Sequence, residues 1–314
     1  MRVAVMLTGQ LRTVEFTKRI LRDTFKGADF FLSIDRDNST QNAYQNSVQP
    51  TSRGQAEGIC AYFQPRNAYI GGGLPSDWAN AFERRIYLVS HHNSGGEVFS
   101  PKSIAEQNIF SYDPRFAKKI VSVWQFRKLL QQYFYVHKAA ELIKAEEEKA
   151  REKYDLIVRL RFDQLLYPIP PDPELISRMA YTEDNVQYVN SRDYSLEIDY
   201  SPVRDDQVVA MGYGQCGNYF YVNDQHFVAK RDAAMKVASF YSSLPAVIKQ
   251  CIREDCYPTA RAQMEYFYAK FLCGLGLEVV SAEDLGYGGM FIRQSKSRIG
   301  SLVQRIYALR HLSI

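Results

Sequence analysis

Apolar residues recur along this chain in two rhythms, and the switches between them mark the elements. RVAVML (2–7) is a short apolar run closed by Thr8-Gly9-Gln10. In TVEFTKRILRDTF the apolar positions Val14, Ile20, Leu21 and Phe25 return at helical spacing, and ADFFLSID (28–35) is strand-like again. A strand, a glycine turn, a helix and a strand open a parallel α/β sheet. ICAYFQP (59–65) ends a helix and RNAYIG (66–71) supplies a third strand, while 36–58 turn to Asn, Gln, Ser and Thr and read as a long loop. Residues 72–121 show no sustained period.

A long helix is predicted from about Val123 to Lys153, with Phe126, Leu129, Leu130, Phe134, Ala139, Leu142 and Ile143 inside and KAEEEKAREK as a solvated end. YDLIVRLRFDQLL (154–166) follows as a strand. PIPPDPELI (168–176) turns into a short helix, VQYVN (186–190) is strand-like and 191–215 read as a loop. GNYFYVND and QHFVAKRDAAMKVASFYSSL give a strand, an Asn-Asp break, and a strand running into a helix. ARAQMEYFYAKFLCGLG (260–276) is a helix with a glycine stop and LEVVS (277–281) a last strand. The alternation predicts one α/β domain over 1–281, a mostly parallel central sheet flanked by helices, with 282–314 as a basic, helical tail.

Composition narrows the class. With 46% hydrophobic and 24% charged residues the 314-residue chain has the balance of a globular protein. A net charge of +4, from 39 basic and 35 acidic residues, gives no case for a nucleic-acid partner. Five cysteines (Cys60, Cys216, Cys251, Cys256, Cys273) have no CxxC spacing, so neither a disulfide framework nor a zinc site is implied. MRVAVMLTGQLR is too short an apolar run for a signal peptide and no window approaches a membrane span, so a cytoplasmic protein is expected. Arg293, Lys296, Arg298, Arg305 and Arg310 flank a helical apolar face in the tail. That pattern suits peripheral contact with an anionic membrane, and equally a helix packed on the domain.

Candidate chemistry concentrates at strand ends, where ligands bind in parallel α/β sheets. Thr8, Gly9, Gln10 and Arg12 follow the first strand, and Asp35 ends the second. Gly9 admits close backbone approach and Arg12 suits a phosphate, although each of these residues also fits a plain turn or cap. In YDLIVRLRFD, a period of two puts Leu156, Val158, Leu160 and Phe162 on one face and Arg159, Arg161 and Asp163 on the other. Charges on so apolar a strand must be paired, because a buried unpaired charge costs several kcal/mol. Asp163 then either binds a divalent cation holding a diphosphate or staples Arg to Asp structurally. Asp224, in the Asn223-Asp224-Gln225-His226 break, is a candidate general base, with His226 a metal ligand or acceptor contact and Glu265 a second carboxylate.

Taken together, VAVMLTGQLRT, WQFRKLLQQYFYVHKAAEL, YDLIVRLRFD, YFYVNDQHFVAKRDAAM and AQMEYFYAKFLCGLGLEV resemble a group of bacterial and viral sugar-transfer proteins with the GT-A glycosyltransferase fold. The resemblance spans most of 1–35 and 122–281. It implies a GT-A-like fold and transfer of a sugar from a nucleotide-diphosphate donor, UDP- or GDP-linked, to a glycan, lipid-linked or protein hydroxyl. Thr8, Gly9 and Arg12 fall at the nucleotide loop and Asp163 at the metal- and donor-binding carboxylate. Arg161 stands where a DxD motif has its first acid, so a manganese or magnesium site at Asp163 and His226 is incomplete, and the arginines are an alternative means of neutralising the leaving diphosphate. A nucleotidyltransferase and a non-catalytic carbohydrate- or partner-binding module on the same scaffold are the competing readings.

Overall fold

The computed structural model describes residues 1–11, 14–36, 51–72, 123–169, 196–216, 219–254 and 263–291. In chain order the first half comprises β1 (Val3–Gln10), α1 (Val14–Thr24), β2 (Asp29–Asp35), α2 (Arg53–Phe63), β3 (Asn67–Gly71), α3 (Val123–Ala150), β4 (Leu156–Arg161) and β5 (Gln164–Pro168). The second comprises β6 (Gln207–Ala210), β7 (Tyr213–Cys216), β8 (Tyr219–Val222), β9 (Phe227–Lys230), α4 (Arg231–Ala238), α5 (Phe240–Arg253), α6 (Gln263–Gly274), β10 (Glu278–Ser281), a 3-10 turn (Ala282–Leu285) and β11 (Tyr287–Phe291).

Seven strands form the central sheet in the order β10-β6-β9-β4-β1-β2-β3. Every neighbouring pair is parallel except those of β9, which runs antiparallel to β4 and β6. The α/β class with a mostly parallel, helix-flanked sheet is thus what the sequence pattern predicts. Two small antiparallel sheets, β5 with β11 and β7 with β8, stand apart from it.

Strand parity divides the core into two layers. Ala4, Met6, Phe31 and Ile157 point to the face covered by α3, α4, α5 and α6, while Val5, Leu7, Leu32, Leu156, Val158 and Leu160 point to the face covered by α1 and α2. Burying a side chain of this size contributes about 1.5–3 kcal/mol, so both faces are strongly specified. Helix α3 is buried on every side from Tyr133 to Val136, as its run of aromatic and apolar residues there requires. Its carboxyl-terminal end is pinned by the buried Glu147, which accepts from Arg231 Nη2 at 2.7 Å and from the Tyr154 amide at 3.1 Å.

Several local expectations need correction. The predicted loop 36–58 gives way to α2 at Arg53, because Ser52 and Gln55 form a capping box in which Ser52 Oγ accepts from the Gln55 amide at 3.1 Å and Gln55 Oε1 from the Ser52 amide at 2.9 Å. The predicted loop 191–215 contains β6 and all but the last residue of β7. Residues 282–291 are a 3-10 turn and a strand instead of the start of a helix, since β11 is held by antiparallel pairing with β5. The rest of the tail, the helix after 168 and the strand 186–190 lie outside the described residues.

Candidate functional site

Each of the adjacent parallel strands β4, β1 and β2 changes character on the α3 face as it nears its carboxyl end. Below lie Ala4 and Met6 of β1, Phe31 of β2 and Ile157 of β4, all core residues. The next positions of the same parity are Thr8 and Gln10, Ser33 and Asp35, and Arg159 and Arg161. Register aligns them, with Thr8 opposite both Ser33 and Arg161, and Gln10 opposite Asp35. The chain builds β1, β2 and β3 outward to one side and then returns to place β4 on the other side of β1. This polar layer therefore sits at the reversal of strand order, the place where parallel α/β sheets bind ligands.

The consecutive residues Gln131, Gln132 and Tyr133 of α3 lie over the layer. Gln131 Nε2 donates to Asp35 Oδ2 at 2.7 Å, and Gln10 Nε2 reaches the same oxygen at 3.4 Å. Gln132 Oε1 accepts from Arg161 Nη1 at 3.4 Å and its Nε2 lies 3.5 Å from Asp224 Oδ2, to which the Tyr133 hydroxyl also donates.

The two arginines are held differently. Arg161 makes a two-pronged pair with Asp163, Nε to Oδ1 and Nη2 to Oδ2, each at 2.8 Å. Asp163 is buried and the Arg161 side chain retains 16% exposure. Burial works against the Arg161 charge, but Asp163 more than offsets it and the pKa rises above its ordinary value. Arg159 is fully buried and donates from Nη1 to the Asp224 carbonyl at 2.7 Å and from Nε to Thr8 Oγ1 at 3.3 Å. Its Nη2 has no partner among the described residues. Burial lowers its pKa to about 10, against the pull of Asp224.

Because β9 is antiparallel, the chain enters it from the end where β4 leaves, and this brings Asp224 to the arginines. Burial raises the Asp224 pKa and prevails over the Tyr133 hydrogen bond and the two arginines. Glu265, in the first turn of α6, is raised to about 7 by burial and by the Asp224 charge. One turn on, Tyr268 stacks against Tyr133 with ring centroids 6.5 Å apart, and its buried hydroxyl has no partner among the described residues.

Thr8, Gly9, Gln10, Asp35, Arg159, Arg161, Asp163 and Asp224 therefore share one edge of the sheet; Arg12 lies outside the described residues. Gly9 adopts φ 105°, a backbone conformation that favours glycine, with open space where a Cβ would stand. His226 is not in this group. It shares the parity of Val228, on the α1 and α2 side, and its Nε2 lies 2.9 Å from the Tyr287 hydroxyl. Burial, then Arg159, lowers its pKa to about 3, so the ring is neutral. Asp163 gives both oxygens to Arg161, and no three His, Cys, Asp or Glu gather as a metal site among the described residues. These residues do not fit a resident divalent cation.

Sequence reasoning missed Gln131, Gln132 and Tyr133. The signal was QQY inside a helix otherwise apolar there, since amides at core positions of a helix require partners. Among the described residues no helix is long and apolar enough to cross a membrane.

No family model matches the chain and no curated protein matches it. Among solved structures it is similar to a cysteine-to-serine double mutant of a transferase, at 9% identity over 87% of this chain and 84% of that one, with a TM-score of 0.36. It is also similar to a nucleoside-diphosphate-sugar pyrophosphorylase from Vibrio cholerae RC9, at 10% identity over 99% of this chain and 100% of that one, with a TM-score of 0.31.

Proposed function

We propose that this chain is a glycosyltransferase of the GT-A type, moving a sugar from a nucleotide-diphosphate donor to a hydroxyl acceptor. One observation carries the reading: two arginines and a buried carboxylate with a raised pKa meet at the carboxyl edge of the central parallel strands, beside the Gly9 turn. A departing diphosphate needs fixed positive charge, and an acceptor hydroxyl needs a base.

The roles follow from the geometry. Asp163 clamps Arg161 through Nε and Nη2, and so fixes its guanidinium at the strand end as positive charge for a phosphate. Arg159 adds charge from beneath, and Gly9 and Gln10 with Asp35 receive the nucleoside. Both bonds that Asp224 receives from α3 fall on Oδ2, so Oδ1 is the oxygen for the acceptor hydroxyl. In this scheme the arginines neutralise the diphosphate and no step passes through a metal.

A non-catalytic saccharide-binding module is the second reading, favoured by the engagement of both Asp163 oxygens with Arg161. A thermal-shift screen of UDP-, GDP-, CMP- and dTDP-sugars with and without manganese, followed by a donor-turnover assay, separates the two. A ligand at 100 times its Kd stabilises the folded chain by about 2.7 kcal/mol. At least one donor is expected to raise the Tm, without requiring manganese, and to be turned over. Failure of every donor to shift the Tm defeats the proposal, and a shift without turnover selects the module.

A further inference from the structure

We propose that the β7–β8 hairpin is a stacking platform for a neutral oligosaccharide, the acceptor glycan, built on the rings of Tyr213 and Phe220. The identification as acceptor rests on the transferase reading above; the platform itself rests on different residues.

Pairing of Tyr213 with Val222 and of Gln215 with Phe220 puts Tyr213, Phe220 and Val222 on one face of the hairpin. That face runs from core to solvent. Val222 is fully buried, whereas Tyr213 and Phe220 are 44% and 37% exposed with ring centroids 5.7 Å apart. Met1 and Ile70 are the other exposed large apolar side chains among the described residues, so the two exposed aromatic ones sit together.

An isolated two-stranded hairpin is marginal in water, and this one is braced. Tyr221, on the opposite face, lies over Gly214 so closely that a Cβ there would meet its hydroxyl at 2.8 Å. The Asn223 amide donates to the Gly212 carbonyl at 2.9 Å and closes the base. Asp224 is the next residue, so an extended chain puts Phe220 no more than ~14 Å from it along the backbone. A saccharide of several linked rings can rest on the pair while its terminal hydroxyl reaches Asp224.

Chemistry and size select the occupant. From Gln207 to Asn223 the chain carries no charged residue, which gives no attraction to nucleic acid or to anionic lipid. An aromatic side chain offers about 150–250 Å², so two rings about 40% exposed offer about 200 Å² at most. A stable protein interface takes about 800 Å² from each partner. A neutral sugar ring has a flat C–H face for such rings and uncharged hydroxyls at its rim.

The test titrates neutral gluco-, galacto- and manno-tetrasaccharides against the wild type, Tyr213→Ala and Phe220→Ala, followed by ligand-observed NMR, with each variant's Tm as a folding control. One tetrasaccharide is expected to bind, with affinity falling about 2- to 12-fold for each lost ring contact. The nucleotide-sugar thermal shift should be unchanged in both variants. Equal binding by all three proteins, binding of no tetrasaccharide, or ring-dependent binding to neutral phosphatidylcholine vesicles in its place overturns the platform. A donor shift without tetrasaccharide binding sinks the platform and leaves the transferase reading standing. Ring-dependent tetrasaccharide binding without any donor shift does the reverse.

Discussion

Breaking the Arg161–Asp163 pair should cost this protein far more than an ordinary ion pair does. In Asp163→Asn one carboxylate oxygen becomes an NH2 group facing a guanidinium nitrogen, so a 2.8 Å attraction becomes a donor–donor opposition. The remaining bond loses its charge assistance. Removing one partner of a buried pair costs about 3–5 kcal/mol. The 16% exposure of Arg161 lets water relax part of this, which places the expected loss near 3 kcal/mol. With about 2.1 cal/mol/K of unfolding entropy per residue, the Tm of this 314-residue chain should fall by roughly 4–5 °C. Arg161→Met takes both guanidinium bonds from the buried Asp163 carboxylate and should cost a similar amount. The double variant Arg161→Met/Asp163→Asn removes both charges together, so urea unfolding of all four proteins should give a coupling energy of about 2 kcal/mol or more. If both single variants cost below about 0.5 kcal/mol and add, as exposed pairs do, Asp163 does not hold Arg161 and the clamp assigned to the donor site is wrong.

Two other perturbations probe the same edge. Glu265 carries a pKa raised from 4.5 to about 7 when folded, so the native state binds its proton more tightly than the unfolded chain. That contribution is complete below pH 4.5 and is lost as pH rises through 7; Asp224 shifts in the same direction, and the two titrate as a unit. Chemical unfolding from pH 4.5 to 8 should show the wild type losing on the order of 2 kcal/mol relative to Glu265→Gln. Parallel pH profiles would falsify the placement of Glu265 beside Asp224. Gly9→Ala meets no neighbour, yet must hold φ 105°, so it should cost about 1–3 kcal/mol and weaken nucleotide-sugar binding; an unchanged Tm means the turn relaxes and glycine is not required there.

The face of β4 that carries Arg159, Arg161 and Asp163 was legible because a period of two is local. Leu156, Val158, Leu160 and Phe162 do enter one core cluster together, with Ile157 in the other. The same parity, counted back from Phe227, puts His226 on the far face, while Asp224 lies in the turn that precedes β9, where strand alternation does not hold. The start of α2 was also written locally, in Ser52 and Gln55, but those residue types are loop chemistry as well as cap chemistry. Strands β6 and β7 have four residues each, too few for alternation to rise above the composition of a loop, whereas the aromatic run of β8 read as a strand.

The site itself was less legible, because it is joined by order in space and not by order in sequence. Thr8 meets Arg161 since β4 pairs with β1, and Asp224 meets Arg159 since β9 is antiparallel to β4. No local rule places those strands side by side. The long helix shows why this matters. Read alone, Gln131, Gln132 and Tyr133 are polar interruptions of an apolar helix. Once the order of strands places the polar ends of β1, β2 and β4 beneath them, each finds a partner: Gln131 takes Asp35, Gln132 bridges Arg161 and Asp224, and Tyr133 takes Asp224. A buried amide or hydroxyl without a partner costs about 1–3 kcal/mol. Three consecutive buried or half-buried polar residues are therefore tolerable only above a polar sheet edge, so α3 and the strand ends each account for the composition of the other.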